Sequence, residues 1–224
     1  MYAHCYDVNH SYIEFDAEKG KYNKKRRKGV YEKLLCKKCE EIIQEYEDYG
    51  KFILYDDAKP TIGATPKPYT NEKYDYRLFK LFVLSLLWRA SISTQNSFKF
   101  VSLGKYEEEL RVMLLNGLET PINNYPICMY QTHINKNPSN GVFMEIYPSK
   151  SKYDGRTVYQ FIADGVFFFV GVRFHSLKIF KHGSWVNQKR IQIGYDELTK
   201  LLSLVDVFVR LHRQGKFSVY EKQT

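Results

Sequence analysis

Apolar and polar positions recur along this chain with two periods, and the change from one to the other falls near residue 121. Ile42, Ile43, Tyr46, Tyr49 and Ile53 lie close to an i, i+3, i+4, i+7 stripe. Such a stripe is one face of a helix, and it predicts a helix over 39–54. Glu40 and Glu41 stand in its first turn, where negative charge suits the helix dipole. A break follows at 56–69, which holds three prolines and a glycine and reads as a linker or exposed loop. Residues 74–93 form a second helical pattern, apolar on most faces between Phe79 and Trp88, as a central buried helix requires. A third helix is predicted over 105–116, with Glu107, Glu108 and Glu109 in its opening turn and Gly117 placed to end it.

Beyond residue 121 the segments are short and β-rich: 126–134, 141–148, 156–163, 165–174, 177–181 and 189–195. Gly, Asn, Pro and Ser separate them at the intervals of an antiparallel meander. Ala163–Gly165 suits a tight connection between two strands, and the unbroken apolar run Val166–Val170 predicts a central strand covered on both faces. A final helix is expected over 195–214, with Leu198, Leu201, Leu202, Val205, Phe208, Val209 and His212 on one face. The expected class is α+β: a helical N-terminal half, an antiparallel sheet over 126–194 and a closing helix. The break at 56–69 suggests a segment 1–55 followed by a domain 70–224.

Composition narrows the chemistry. With 224 residues, 44% of them apolar and 16% aromatic, the chain can bury a proper core. A net charge of +9 points to an anionic partner, DNA or RNA, or serves solubility alone. Seven of the eleven residues in 19–29 are Lys or Arg. A block of that density repels itself and reads as a solvated loop, and Lys24, Lys25, Arg26 and Arg27 are its candidate phosphate contacts. Basic and aromatic residues also interleave over 173–190, where Lys178, Lys181, Lys189 and Arg190 stand near Phe174, Phe180 and Trp185. That mixture suits phosphate binding with base stacking, and it is equally what a half-exposed strand shows. The longest apolar run, 81–88, is far short of the roughly 20 residues that span a bilayer, so no membrane is expected. The opening residues lack the apolar centre of a secretory signal. Four unevenly spaced cysteines make no disulfide framework, and a reducing, cytoplasmic setting is expected. There is no phosphate-binding glycine loop, no G-x-S-x-G and no H-E-x-x-H, and His133, His175 and His182 are scattered.

Cys36 and Cys39 stand two residues apart where the first helix begins. A C-x2-C knuckle supplies two thiolates to a tetrahedral zinc, and two more ligands are then needed. Upstream, the donors are His4, Cys5 and His10. Two reduced thiols, one packed at the helix start, are the plainer reading, and a redox pair is the third.

The segments GVYEKLLCKKCEEIIQEYEDYG (29–50), YDYRLFKLFVLSLLWRASIS (74–93) and VSLGKYEEELRVML (101–114) together resemble a group of uncharacterised bacterial HNH-like proteins with a treble-clef beginning. The resemblance covers about residues 29–115. In that group an early C-x2-C and a histidine of the HIIP type precede an LLCxxCE segment. Here Cys5 stands alone, and His10, followed by SYIEF, is the only residue near the place of the catalytic histidine. The resemblance implies a treble-clef start with Cys36, Cys39, Cys5 and His4 as structural zinc ligands. It also implies a nucleic-acid-binding role in anti-phage defence or mobile elements, with nuclease activity degenerate. The alternatives are a non-enzymatic protein–protein interaction module, or an endonuclease using His10 with Mg²⁺ or Mn²⁺.

Overall fold

The structure, a computed structural model, describes residues 12–16, 21–26, 31–57, 69–133, 146–153, 155–163, 166–172 and 186–197. Two strands come first, β1 (Tyr12–Asp16) and β2 (Lys21–Arg26), paired antiparallel with Ile13 opposite Lys25 and Tyr12 opposite Arg26. The basic run read as a loop is therefore strand over Lys21–Arg26, because β1 offers it a hydrogen-bonding partner that charge density alone does not reveal.

Helix α1 (Lys37–Lys51) continues into one π-helical turn over Phe52–Asp57. Helix α2 (Tyr76–Ile92) is capped by Asp75, whose carboxylate accepts the Leu78 N–H at 2.8 Å. Helix α3 (Tyr106–Asn116) carries Glu107–Glu109 in its first turn and ends on Gly117 at φ +59°, where Leu118 N–H returns to the Met113 carbonyl at 3.0 Å. Twelve residues of α2 are buried, on nearly every face, because α1, α3 and the sheet all pack on it. No helix of the described residues is long and apolar enough to cross a membrane.

The remaining strands are β3 (Tyr69–Asn71), β4 (Ile127–His133), β5 (Ile146–Tyr153), β6 (Arg156–Ala163), β7 (Val166–Gly171), β8 (Val186–Asn187) and β9 (Arg190–Glu197). They form one sheet in the order β3-β9-β4-β7-β6-β5, with β8 paired to β9. Two-residue connections fix the antiparallel pairs β5–β6 and β6–β7, where Tyr153 lies opposite Arg156 and Ala163 opposite Val166. Gly155, at φ +74°, supplies the turn between β5 and β6. That turn sets the β5 register, so the strand continues past the expected end at 148 to Tyr153, while 141–145 of the expected strand lie outside the described residues.

The sheet is mixed, not purely antiparallel: β9 runs parallel to β4, with Tyr130 opposite Gly194. β9 is joined by a tight turn to β8 and not to β4, so no hairpin between β4 and β9 forces them antiparallel. Tyr195–Glu197, expected to open the last helix, are the end of β9, where β4 pairs with them. The rest of 195–214, and the expected strand 177–181, lie outside the described residues.

Side chains alternate across the sheet. Ile127, Met129, Tyr159, Phe161, Val166, Phe168 and Val170 share the core of the helices, and Phe161 stacks on its cross-strand partner Phe168 at 5.0 Å. Cys128, Gln160, Ile162, Phe167 and Phe169 point to the other face and are also buried. β7 is therefore central and covered on both faces, which is why its sequence does not alternate. Ile43, Tyr46, Ile53 and Leu54 of α1 and its extension belong to the same core.

Candidate functional site

The thiol pair is positioned from both sides. Upstream, Glu32 grips the end of α2: its carboxylate accepts from Ser93 Oγ at 2.5 Å, Thr94 Oγ1 at 2.6 Å and Thr94 N at 3.1 Å. These bonds hold the Glu32 carboxyl below its ordinary range. Leu35 packs against the core, so the residues leading into α1 are anchored by a polar clamp and an apolar contact. Downstream, Tyr46 donates to the Leu114 carbonyl at 2.9 Å, and Arg89 of α2 pairs with Glu47 of α1. Arg89 thus ties two helices through a carboxylate.

Cys36 is the N-cap of α1, with extended backbone at φ −76°, ψ 160°, and its carbonyl accepts the Glu40 N–H at 3.0 Å. Cys39 is the third helical residue. The N-cap and third positions face each other, the spacing that lets a capping residue reach the first turn. Two cysteines at that spacing bring their sulfurs together, and Sγ lies 3.2 Å from Sγ. Cys36 is exposed and Cys39 half-buried. The nearby Cys39 backbone N–H and thiol favour a thiolate at Cys36 and hold its pKa below the ordinary 9.0. The shared bond and the neighbouring charge push Cys39 up, while Arg111 of α3 and Lys38 partly offset that. Arg111 is itself oriented by a two-point bond to Glu108, at 2.7 Å on each arm.

This pair has the donor chemistry of half a zinc site. Two thiolates on one tetrahedral zinc, each about 2.3 Å from the metal, stand about 3.8 Å apart, so the sulfurs would part by roughly 0.6 Å. Among the described residues no group of three or more His, Cys, Asp or Glu could hold a metal. Further ligands would have to come from elsewhere, and His4, Cys5 and His10 all lie outside the described residues.

The basic candidates divide. Lys24, Lys25 and Arg26 are in β2, while Arg27, Lys178 and Lys181 lie outside the described residues. Lys189 and Arg190 are exposed at the β8–β9 turn. Asn187 builds that turn by accepting the N–H groups of Lys189 at 3.0 Å and Arg190 at 3.1 Å. The turn is braced from outside: the Tyr74 hydroxyl donates to the Asn187 carbonyl, and Gln188 donates to Glu119 at 2.6 Å. Two cations are therefore presented on a held turn.

One residue escaped sequence reasoning. Lys80 is 3% exposed in the middle of α2. Its ammonium donates to the Tyr76 hydroxyl at 2.9 Å and to the carbonyls of Asn124 at 2.6 Å, Pro121 at 2.8 Å and Thr120 at 3.3 Å. Burial pulls it down to about 7, and Glu119 opposes that. Four oxygens around three N–H groups describe a structural knot that ties 120–124 onto α2. Its signal in the sequence was a cation set between Phe79 and Leu81, inside the mostly apolar stretch of the helix.

No protein-family model, no curated protein and no solved structure matches this chain.

Proposed function

We propose that this chain is a cytoplasmic nucleic-acid-binding protein, a degenerate relative of HNH-like proteins without intact nuclease activity. Its Cys36–Cys39 knuckle would hold a structural zinc with Cys5 and His4. The observation that supports the reading is the contact between two sulfurs at an exposed helix start, with one thiol already biased toward the thiolate that zinc needs. Zinc there would supply folding energy and a fixed start for α1, and no chemistry. The net charge of +9 and the braced cations Lys189 and Arg190 support a polyanionic partner. A role in anti-phage defence or mobile elements extends the same reading.

The test joins metal content to binding. Protein purified without chelator should carry close to one zinc per chain, lost in Cys36→Ser and Cys39→Ser. DNA or RNA should bind with an affinity that falls steeply as salt rises, because each phosphate contact releases a counterion. Zinc-free protein together with salt-independent binding would overturn the proposal. Plasmid cleavage with Mg²⁺ or Mn²⁺ that vanishes in His10→Ala would replace it with a nuclease.

A further inference from the structure

We propose that Cys36 and Cys39 form a reversible dithiol–disulfide couple, in which Cys36 attacks a small-molecule disulfide and Cys39 resolves the adduct. The inference rests on geometry at the pair and deepens the zinc reading by giving that site a regulator. Two independent features carry it. The sulfurs are 3.2 Å apart, so closing to a bond of about 2.05 Å takes an approach of roughly 1.1 Å, within reach of side-chain rotation. The two thiols are also unlike: Cys36 is exposed and sits at the helix cap, whereas Cys39 is half-buried one turn in. An incoming disulfide meets Cys36 first.

The step balances with a disulfide such as oxidised glutathione as the oxidant. The Cys36 thiolate attacks one glutathione sulfur, an S–S bond forms to Cys36, and the other glutathione leaves as a thiolate that takes up a proton. Cys39 then loses its proton and attacks Cys36 Sγ. The Cys36–Cys39 bond forms and the second glutathione leaves. The protein dithiol gives up two electrons and two protons, and one glutathione disulfide becomes two thiols. Closure removes both thiolates, so the oxidised pair cannot ligate zinc. Cys128, the remaining cysteine of the described residues, is buried in the sheet and is not a competitor for the oxidant.

The full-length protein, stripped of metal with EDTA, is treated with oxidised glutathione and digested with trypsin. Cleavage after Lys37 and Lys38 separates the two cysteines, so the disulfide appears as the peptides 34–37 and 39–51 linked together. The expected result is that linked pair without retained glutathione, reversed by dithiothreitol. Cys39→Ser should trap glutathione on Cys36, forming its adduct severalfold faster than Cys36→Ser forms one on Cys39, since Cys36 is exposed and Cys39 is half-buried. Stable glutathione adducts on both cysteines of the wild type, a Cys36–Cys5 linkage, or equal rates in the two variants would overturn the couple. Zinc uptake by reduced but not oxidised protein supports the regulation. Disulfide closure in a chain that takes no zinc when reduced sinks the zinc reading and leaves the couple standing.

Discussion

Replacing Gly50 with alanine reverses the usual effect of that change. In an exposed helix, Gly→Ala stabilises by about 1 kcal/mol, because glycine loses more backbone freedom on folding. Gly50 lies inside α1 where α2 crosses it, and an added Cβ would sit 2.3, 2.4 and 2.6 Å from Cγ, Cδ1 and Cδ2 of Phe82. Carbon atoms in contact prefer about 3.5–4.0 Å, so the ring or the helix must move by roughly 1 Å. Phe82 is 6% exposed, with Phe79 at 5.8 Å between ring centroids, and has little room to retreat. Overpacking of this kind costs about 1–3 kcal/mol, and a displacement this large belongs near the upper end. Subtracting the backbone gain leaves a net loss of about 1–2 kcal/mol, which lowers Tm by about 2–8 °C in a chain of this size. Thermal and urea unfolding followed by circular dichroism measure it. Phe82→Ala removes the clashing ring at a cost of about 3–5 kcal/mol, and in that background Gly50→Ala should become stabilising, a coupling of at least about 1 kcal/mol. A wild type made more stable by Gly50→Ala would refute the helix crossing.

Lys80→Met should destabilise by about 1–3 kcal/mol, because the Thr120, Pro121 and Asn124 carbonyls lose their donor. With Lys80 near 7 when folded and 10.5 when unfolded, the unfolded chain binds more protons between those values, so wild-type stability should rise with pH across that window relative to Lys80→Met. Chemical denaturation at pH 7 and pH 10 checks this, and a pH-independent gap between the two proteins would show a lysine that keeps its charge throughout. Cys36 alkylation by iodoacetamide should reach half its plateau rate below pH 9.0 and Cys39 above it; one shared midpoint contradicts the asymmetry of the pair. Lys189→Ala and Arg190→Ala should each reduce the salt slope of DNA or RNA binding by about 1 while leaving the unfolding free energy within about 0.5 kcal/mol of wild type, and an unchanged slope removes the turn from the interface.

Local pattern located the three helices: the stripe Ile42, Ile43, Tyr46 and Tyr49 for the first, apolar residues on most faces of 79–88 for the second, and the acidic opening turn Glu107–Glu109 for the third. Gly117 ended α3 where a left-handed residue was needed, and Val166–Val170 announced a strand buried on both faces, because neither property depends on distant residues. The pairing of β9 alongside β4 and the end of β9 at Glu197 depend on partners far away in the chain, while the strand made by the basic run at 21–26 depends on its pairing with the neighbouring Tyr12–Asp16. No local pattern encodes a direction of approach. Of the candidate site, the spacing of Cys36 and Cys39 was legible, since cap and third helical positions face each other in any helix. Gly50 and Lys80 were not: the first matters only because Phe82 crosses it, the second only because a loop 40 to 44 residues later turns three carbonyls toward it. The sequence determined the three helices, the buried strand Val166–Val170 and where two thiols meet, because those follow from local pattern and from bonds within a turn or two. The tertiary structure decided strand order, helix contact and the burial of a charge, because these are free energies shared between residues that only folding makes neighbours.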